Sequence, residues 1–269
     1  MTITGALLRN AIIYAAQLIT SHRQEIDALN VFPVPDGDTG TNMSMTITNA
    51  AREVRVKDDS ENVSAVASCV ASGLLRGARG NSGVILSLIF RGFSKGLKGL
   101  EEADGAAMAS ALEHGSSSAY KAVMKPTEGT ILTVIRTASE YARKAVNDGE
   151  TDAVKVFDIG LEGAKAALVD TPNILPVLKK AGVVDAGGSG LVCIFTAMSD
   201  VFHGKEVNLD AEEADLVLEV TGQVVGAVVV AQRQALGPVF LDTAEVAQHA
   251  LAHRLERLEA VAGARGMAA

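Results

Sequence analysis

Apolar positions recur at three- and four-residue spacings along the first 204 residues, and polar, glycine-bearing stretches interrupt them. Leu8, Ile12, Ala15 and Ile19, flanked by Leu7, Tyr14 and Leu18, predict one long amphipathic helix over 4–29. Further helical patterns cover 41–54, 63–75, 84–93, 104–124, 131–146, 152–169, a short 173–180 and 191–202. The charged stretch 57–61 reads as a solvated turn. Gly115-Ser116-Ser117-Ser118, inside the fifth pattern, marks a close helix contact or a local weakness. The pattern predicts an all-α bundle.

Beyond Gly204 the character changes. Residues 205–215 are acidic and linker-like, 216–231 are valine-rich and suggest a strand pair, 243–262 suggest a surface helix, and 263–269 a frayed end. His249 and His253 share a helical face at i and i+4, a spacing compatible with a metal, but no third ligand accompanies them and they read as surface histidines. The chain is thus expected to divide into a main domain, 1–204, and a linker with a short C-terminal appendage, 205–269, the start of a truncated following domain.

Composition narrows the class. With 48% hydrophobic and 21% charged residues over 269 positions, a sizeable core is expected and global disorder is not. Aromatics are only 4% and Trp is absent, so the helices are expected to pack closely through small residues. A net charge of −8 argues against nucleic acid as the main partner, which calls for basic patches. Cys69 and Cys193 lie in apolar helical patterns outside any CxxC context, and read as buried thiols of a reducing cytosol. The N-terminus lacks a basic segment followed by an apolar one, and the longest apolar runs are too short to cross a bilayer; a soluble cytoplasmic protein is expected.

Four interruptions carry chemistry. Asn30-Val-Phe-Pro-Val-Pro-Asp-Gly-Asp-Thr-Gly-Thr-Asn42 holds two prolines and two glycines between helical patterns, so it is a loop. Asp36 and Asp38, two apart across Gly37, can converge on one centre, and hard carboxylate oxygens on a tight turn suit Mg²⁺. Thr39, Gly40, Thr41 and Asn42 then open the next helix, where unpaired amides and the helix dipole favour an anion. Taken alone, Asp-Gly-Asp-Thr-Gly is also ordinary turn and cap chemistry. Glycines 77, 80 and 83 space the second loop, so that Gly80, Asn81, Ser82 and Gly83 lead into a helix; it is neither a Walker A nor a GxGxxG motif. Arg79 can neutralise phosphate charge, although an exposed arginine is commoner. In Lys125-Pro-Thr-Glu-Gly-Thr130, Thr127 and Thr130 are plain caps or, with Lys125, nucleotide contacts. Val184-Asp-Ala-Gly-Gly-Ser-Gly190, with Asp185, Gly187 and Gly188, repeats the arrangement a fourth time. Loops between alternate pairs of antiparallel helices lie at one end of a bundle, so the four can meet as a metal–nucleotide site.

These four motifs resemble the DhaL-like (Dak phosphatase) nucleotide-binding domain of bacterial fatty acid kinase, FakA, itself similar to the ADP-binding L subunit of dihydroxyacetone kinase. The resemblance covers 1–204. It implies an antiparallel eight-helix barrel with ATP and two Mg²⁺ ions held by loops at one end. Asp36 and Asp38 match the metal carboxylates, and Asn30 stands near the place of a third, acidic ligand. Thr39, Thr41, Asn42, the Gly80–Gly83 loop, Thr130, Asp185, Gly187 and Gly188 fall at nucleotide contacts. The implied reaction is phosphoryl transfer from ATP to a fatty-acid carboxylate on a DegV-like fatty-acid-binding protein, with a homodimer as a further assembly. The alternatives are a dihydroxyacetone-type kinase subunit and a nucleotide-binding module without catalysis. The first loop, with Thr39 after Asp38 and the Phe32–Pro35 run, stands nearer the fatty acid kinase version.

Overall fold

The computed structural model describes residues 1–207, and the strand pair, surface helix and histidine pair expected further on lie outside the described residues. Among the described residues ten helices follow one another: α1 (Gly5–Ser21), α2 (Arg23–Ala28), α3 (Thr39–Arg55), α4 (Val63–Gly77), α5 (Gly80–Gly96), α6 (Gly105–Ala122), α7 (Ile131–Asn147), α8 (Ala153–Ile174), α9 (Pro176–Ala181) and α10 (Ala186–Phe202). Each of the eight long helices packs against the next, and α10 returns to α1, which closes the ring. The expected antiparallel eight-helix barrel is what the chain forms.

Small residues set the spacing. A Cβ on Gly92 would lie 2.0 Å from the carbonyl oxygen of His114, and one on Gly96 would lie 2.5 Å from the Cα of Ala111. Helices α5 and α6 therefore touch backbone to backbone, and Gly115 in the expected close contact sits at that seam against Ile89. The interior is filled by aliphatic side chains with Phe157 at one centre, its ring 5.3 Å from Phe195 and 5.1 Å from Phe202.

Three expectations are corrected. The first helical pattern is two helices, because the chain leaves α-helical geometry at His22, where Thr20 and Ser21 hydroxyls donate back to the carbonyls of Ala16 and Leu18. The released segment, α2, packs on α3 and α10. Helices α5 and α10 begin earlier than their apolar runs, since Gly80–Gly83 and Ala186–Gly190 are already helical. Cys193 is buried, with its thiol pushed up to about 12 by desolvation, but Cys69 is only half-buried.

Candidate functional site: a cavity at the open end of the barrel

Alternation of direction places the first turns of α3, α5, α7 and α10 at one end, where they surround a cavity of about 550 Å³. Its polar lining comprises Asn30, Asp36, Asp38, Thr39, Asn42, Asn81 and Ser82, with Lys125, Thr127, Thr130 and Asp185. Its apolar side is built from Phe32 and Val34, from Val84, Ile85 and Leu88 of α5, and from Ala122, Val123, Ile131 and Leu132. All four polar loops meet here.

The first loop is held by side chains. Asn30 Nδ2 donates to Asp36 Oδ1 at 2.6 Å, and Gly37 turns the backbone with φ 65° between the two aspartates. Asp38 stands at the cap of α3 without making a side-chain cap bond. Gly80, at φ 56°, presses α5 onto α3: a Cβ there would meet Asn42 Nδ2 at 2.3 Å. Arg79, at the cap of α5, likewise gives no side-chain cap. Two adjacent helix N-termini thus face the cavity without caps from their own chain positions, beside two carboxylates.

The other two loops are more fully bonded. Thr130 accepts from Leu132 N at 3.4 Å and donates to the Thr127 carbonyl at 2.7 Å. Glu128 between them accepts from Tyr120 (2.8 Å), Thr133 (2.6 Å) and Arg136 (3.1 Å), and clamps the loop to α6 and α7. Hydrogen bonds from these neighbours hold the Glu128 carboxyl below its ordinary value against the opposing effect of partial burial. Asp185 caps α10 through Gly188 N at 2.7 Å and is 5% exposed; burial pushes its carboxyl up to about 6.

A model of the DAK2 domain matches residues 33–200. The chain belongs to the DAK2 domain family. Among its relatives, protein YloV of Bacillus subtilis is 47% identical over 206 residues, covering 77% of this chain and 37% of that protein. An uncharacterised Staphylococcus epidermidis protein is 45% identical over 213 residues, 79% of this chain and 38% of its own length. The chain therefore spans well under half the length of these relatives. Among solved structures, the crystal structure of the dihydroxyacetone kinase from C. freundii in complex with AMP-PNP and Mg²⁺ matches 72% of this chain and 33% of that one, with a TM-score of 0.52 and 17% identity. That likeness is one of fold.

Within this DAK2 domain, four of the expected contact residues do not line the cavity. Thr41 gives both its amide and its hydroxyl to Asp27, at 3.0 and 2.7 Å. Gly40 packs on the Arg23 carbonyl, Gly83 on Thr46 and Gly188 on Val134, each so closely that a Cβ would collide. The sequence signal at these positions is packing of the site's frame. Asp27 and Glu128, which hold two of the loops, were not assigned from the sequence; a charged residue near a glycine-rich loop was the only signal available.

The donor set fits Mg²⁺. Asp36 and Asp38 offer acceptor-only oxygens, and Asn30 keeps its Oδ1 while its Nδ2 orients Asp36. Among the described residues no group of three or more His, Cys, Asp or Glu could hold a metal. No helix among the described residues is long and apolar enough to cross a membrane.

Proposed function

We propose that this DAK2 domain binds ATP with Mg²⁺ and passes the γ-phosphoryl group to a fatty-acid carboxylate carried by a DegV-like binding protein, giving an acyl phosphate. The observation that carries the reading is that the N-termini of α3 and α5, neither capped by the side chain of its own cap residue, face one cavity beside Asp36 and Asp38. Asp36, Asp38 and Asn30 hold the ion, the amides opening α5 face the phosphates, and the apolar wall from Val84 to Leu88 accepts the base. Bound Mg²⁺ supplies charge neutralisation at the phosphates. The accepting carboxylate is ionised at neutral pH, so the site needs no general base. Its oxygen attacks the γ-phosphorus as the bond to the ADP oxygen breaks, and the chain's part is positioning and electrostatics.

The likeness in fold to dihydroxyacetone kinase favours a second acceptor, dihydroxyacetone, presented by a partner subunit. Calorimetric titration of AMP-PNP with and without Mg²⁺, on the wild type and Asp36→Ala, tests the site. Mg²⁺-dependent binding lost in the variant supports it, whereas Mg²⁺-independent or absent binding removes it. Transfer from ATP to fatty acid on a DegV-like protein, run beside transfer to dihydroxyacetone, decides the acceptor.

A further inference from the structure

Asp38 departs from the residues whose side chains cap the helices they open. Where a cap side chain reaches its helix, the backbone is extended, with ψ of 166° at Thr4, 161° at Asn62, −176° at Asp104, 120° at Asp152 and 124° at Asp185. Asp38 has ψ 5°, and its carboxylate makes no bond to the first turn of α3. The amide it would ordinarily satisfy, that of the third helical residue Thr41, donates instead to Asp27 Oδ1 at 3.0 Å, and the Thr41 hydroxyl donates to Oδ2 at 2.7 Å. Asp27 also accepts Asn30 N on its carbonyl at 3.1 Å, and Asn30 in turn orients Asp36.

We propose that Asp27 is a positioning residue that caps α3 from outside the helix, and thereby leaves the Asp38 carboxylate available to a divalent cation. This rests on the metal–nucleotide reading above, but the capping half stands apart from it. α2 can deliver this cap because Gly40 allows it to lie on the first turn of α3: a Cβ there would be 2.2 Å from the Arg23 carbonyl oxygen. The exchange also keeps a negative charge at the helix N-terminus, where the dipole favours it.

The test compares the full chain with Asp27→Ala, Asp27→Asn and Asp38→Ala. Loss of a cap lowers the melting temperature by about 2–4 °C in a domain of this size. That loss is expected in Asp27→Ala and absent in Asp38→Ala. Asp27→Asn keeps most of the wild-type value and loses only the charge–dipole part, since its Oδ1 can accept the Thr41 amide and its Nδ2 can donate to the Thr41 hydroxyl. Calorimetry with AMP-PNP then reads the Mg²⁺ concentration for half-maximal enhancement. Asp27→Ala should raise it by roughly tenfold, as loss of a supporting group around a metal ligand does, with Mg²⁺-free nucleotide affinity within about twofold. Asp27→Asn should restore it. Equal melting losses in Asp27→Ala and Asp38→Ala, or an unmoved Mg²⁺ requirement in Asp27→Ala, overturn the proposal. A wild type with no Mg²⁺ dependence strikes the metal–nucleotide reading and the positioning role with it, and the melting contrast still decides the capping.

Discussion

The two ends of the barrel are built from the same residue types and use them differently. At the closed end Thr4, Asn62, Asp104 and Asp152 each accept from amides of the helix they open, so α1, α4, α6 and α8 are all capped locally. The connections there bond to one another through backbone: Ile3 pairs with Ala103, Val63 N donates to the Glu101 carbonyl, and Gly105 N to that of Thr151. At the open end Thr130 and Asp185 cap α7 and α10 locally, but α3 and α5 lack their own caps, and Asp27, Asn30 and Glu128 side chains tie the loops. A polar residue before a helix is therefore not informative by itself. What matters is whether its side chain is spent on the helix or kept for the cavity.

The largest expected effect separates the ends outright. Asp38→Ala should weaken Mg²⁺-dependent AMP-PNP binding by on the order of a hundredfold or more, because loss of a first ligand exceeds the 10- to 100-fold cost of losing its support. Asp104→Ala at the closed end should leave that binding unchanged. Equal effects in calorimetry would erase the distinction between the ends.

Asp185 gives the next largest effect. Its folded-state value, about 6, lies above the ordinary 3.8, so the folded chain binds the proton more tightly than the unfolded one. Its contribution to stability is present in full below pH ~4, falls as the pH rises toward ~6 and is gone above that. The shift corresponds to on the order of 3 kcal/mol. Urea unfolding of the wild type and Asp185→Asn should show their stability difference moving by that order across the window, against the wild type at higher pH. A flat difference would mean that the carboxyl is solvated in solution.

The reciprocal of the first contrast is smaller. Asp104→Ala or Asn62→Ala should cost about 1 kcal/mol, a melting loss of roughly 2–4 °C, whereas Asp38→Ala should cost little. Smallest is Glu128→Gln, whose clamp on Tyr120, Thr133 and Arg136 is half-exposed. A loss of about 1 kcal/mol or less is expected in thermal unfolding, with a several-fold weakening of nucleotide binding as the third loop loosens.

Helical periodicity was legible because it is a local property: the eight long helices follow from apolar spacing, and their small residues announced close packing. The four loops were legible as a set because each pairs glycine with Asp, Asn, Ser or Thr at a helix start. Their convergence needed only alternation of direction. Other features were not readable. The break at His22 depends on what α2 packs against, and nothing in the run of apolar residues marks it. Thr41, Gly40, Gly83 and Gly188 share the motifs of the cavity residues, yet their orientations are fixed by neighbours on other helices. Asp27 lies 14 residues before the Thr41 that it bonds, a separation with no periodic meaning. The sequence by itself determined the helices, the loop chemistry and the pair of aspartates, since these rest on local backbone preference and residue type. Tertiary structure alone decided which carboxylate caps a helix and which faces the cavity, because that choice is a competition for hydrogen bonds between segments that only the folded barrel brings together.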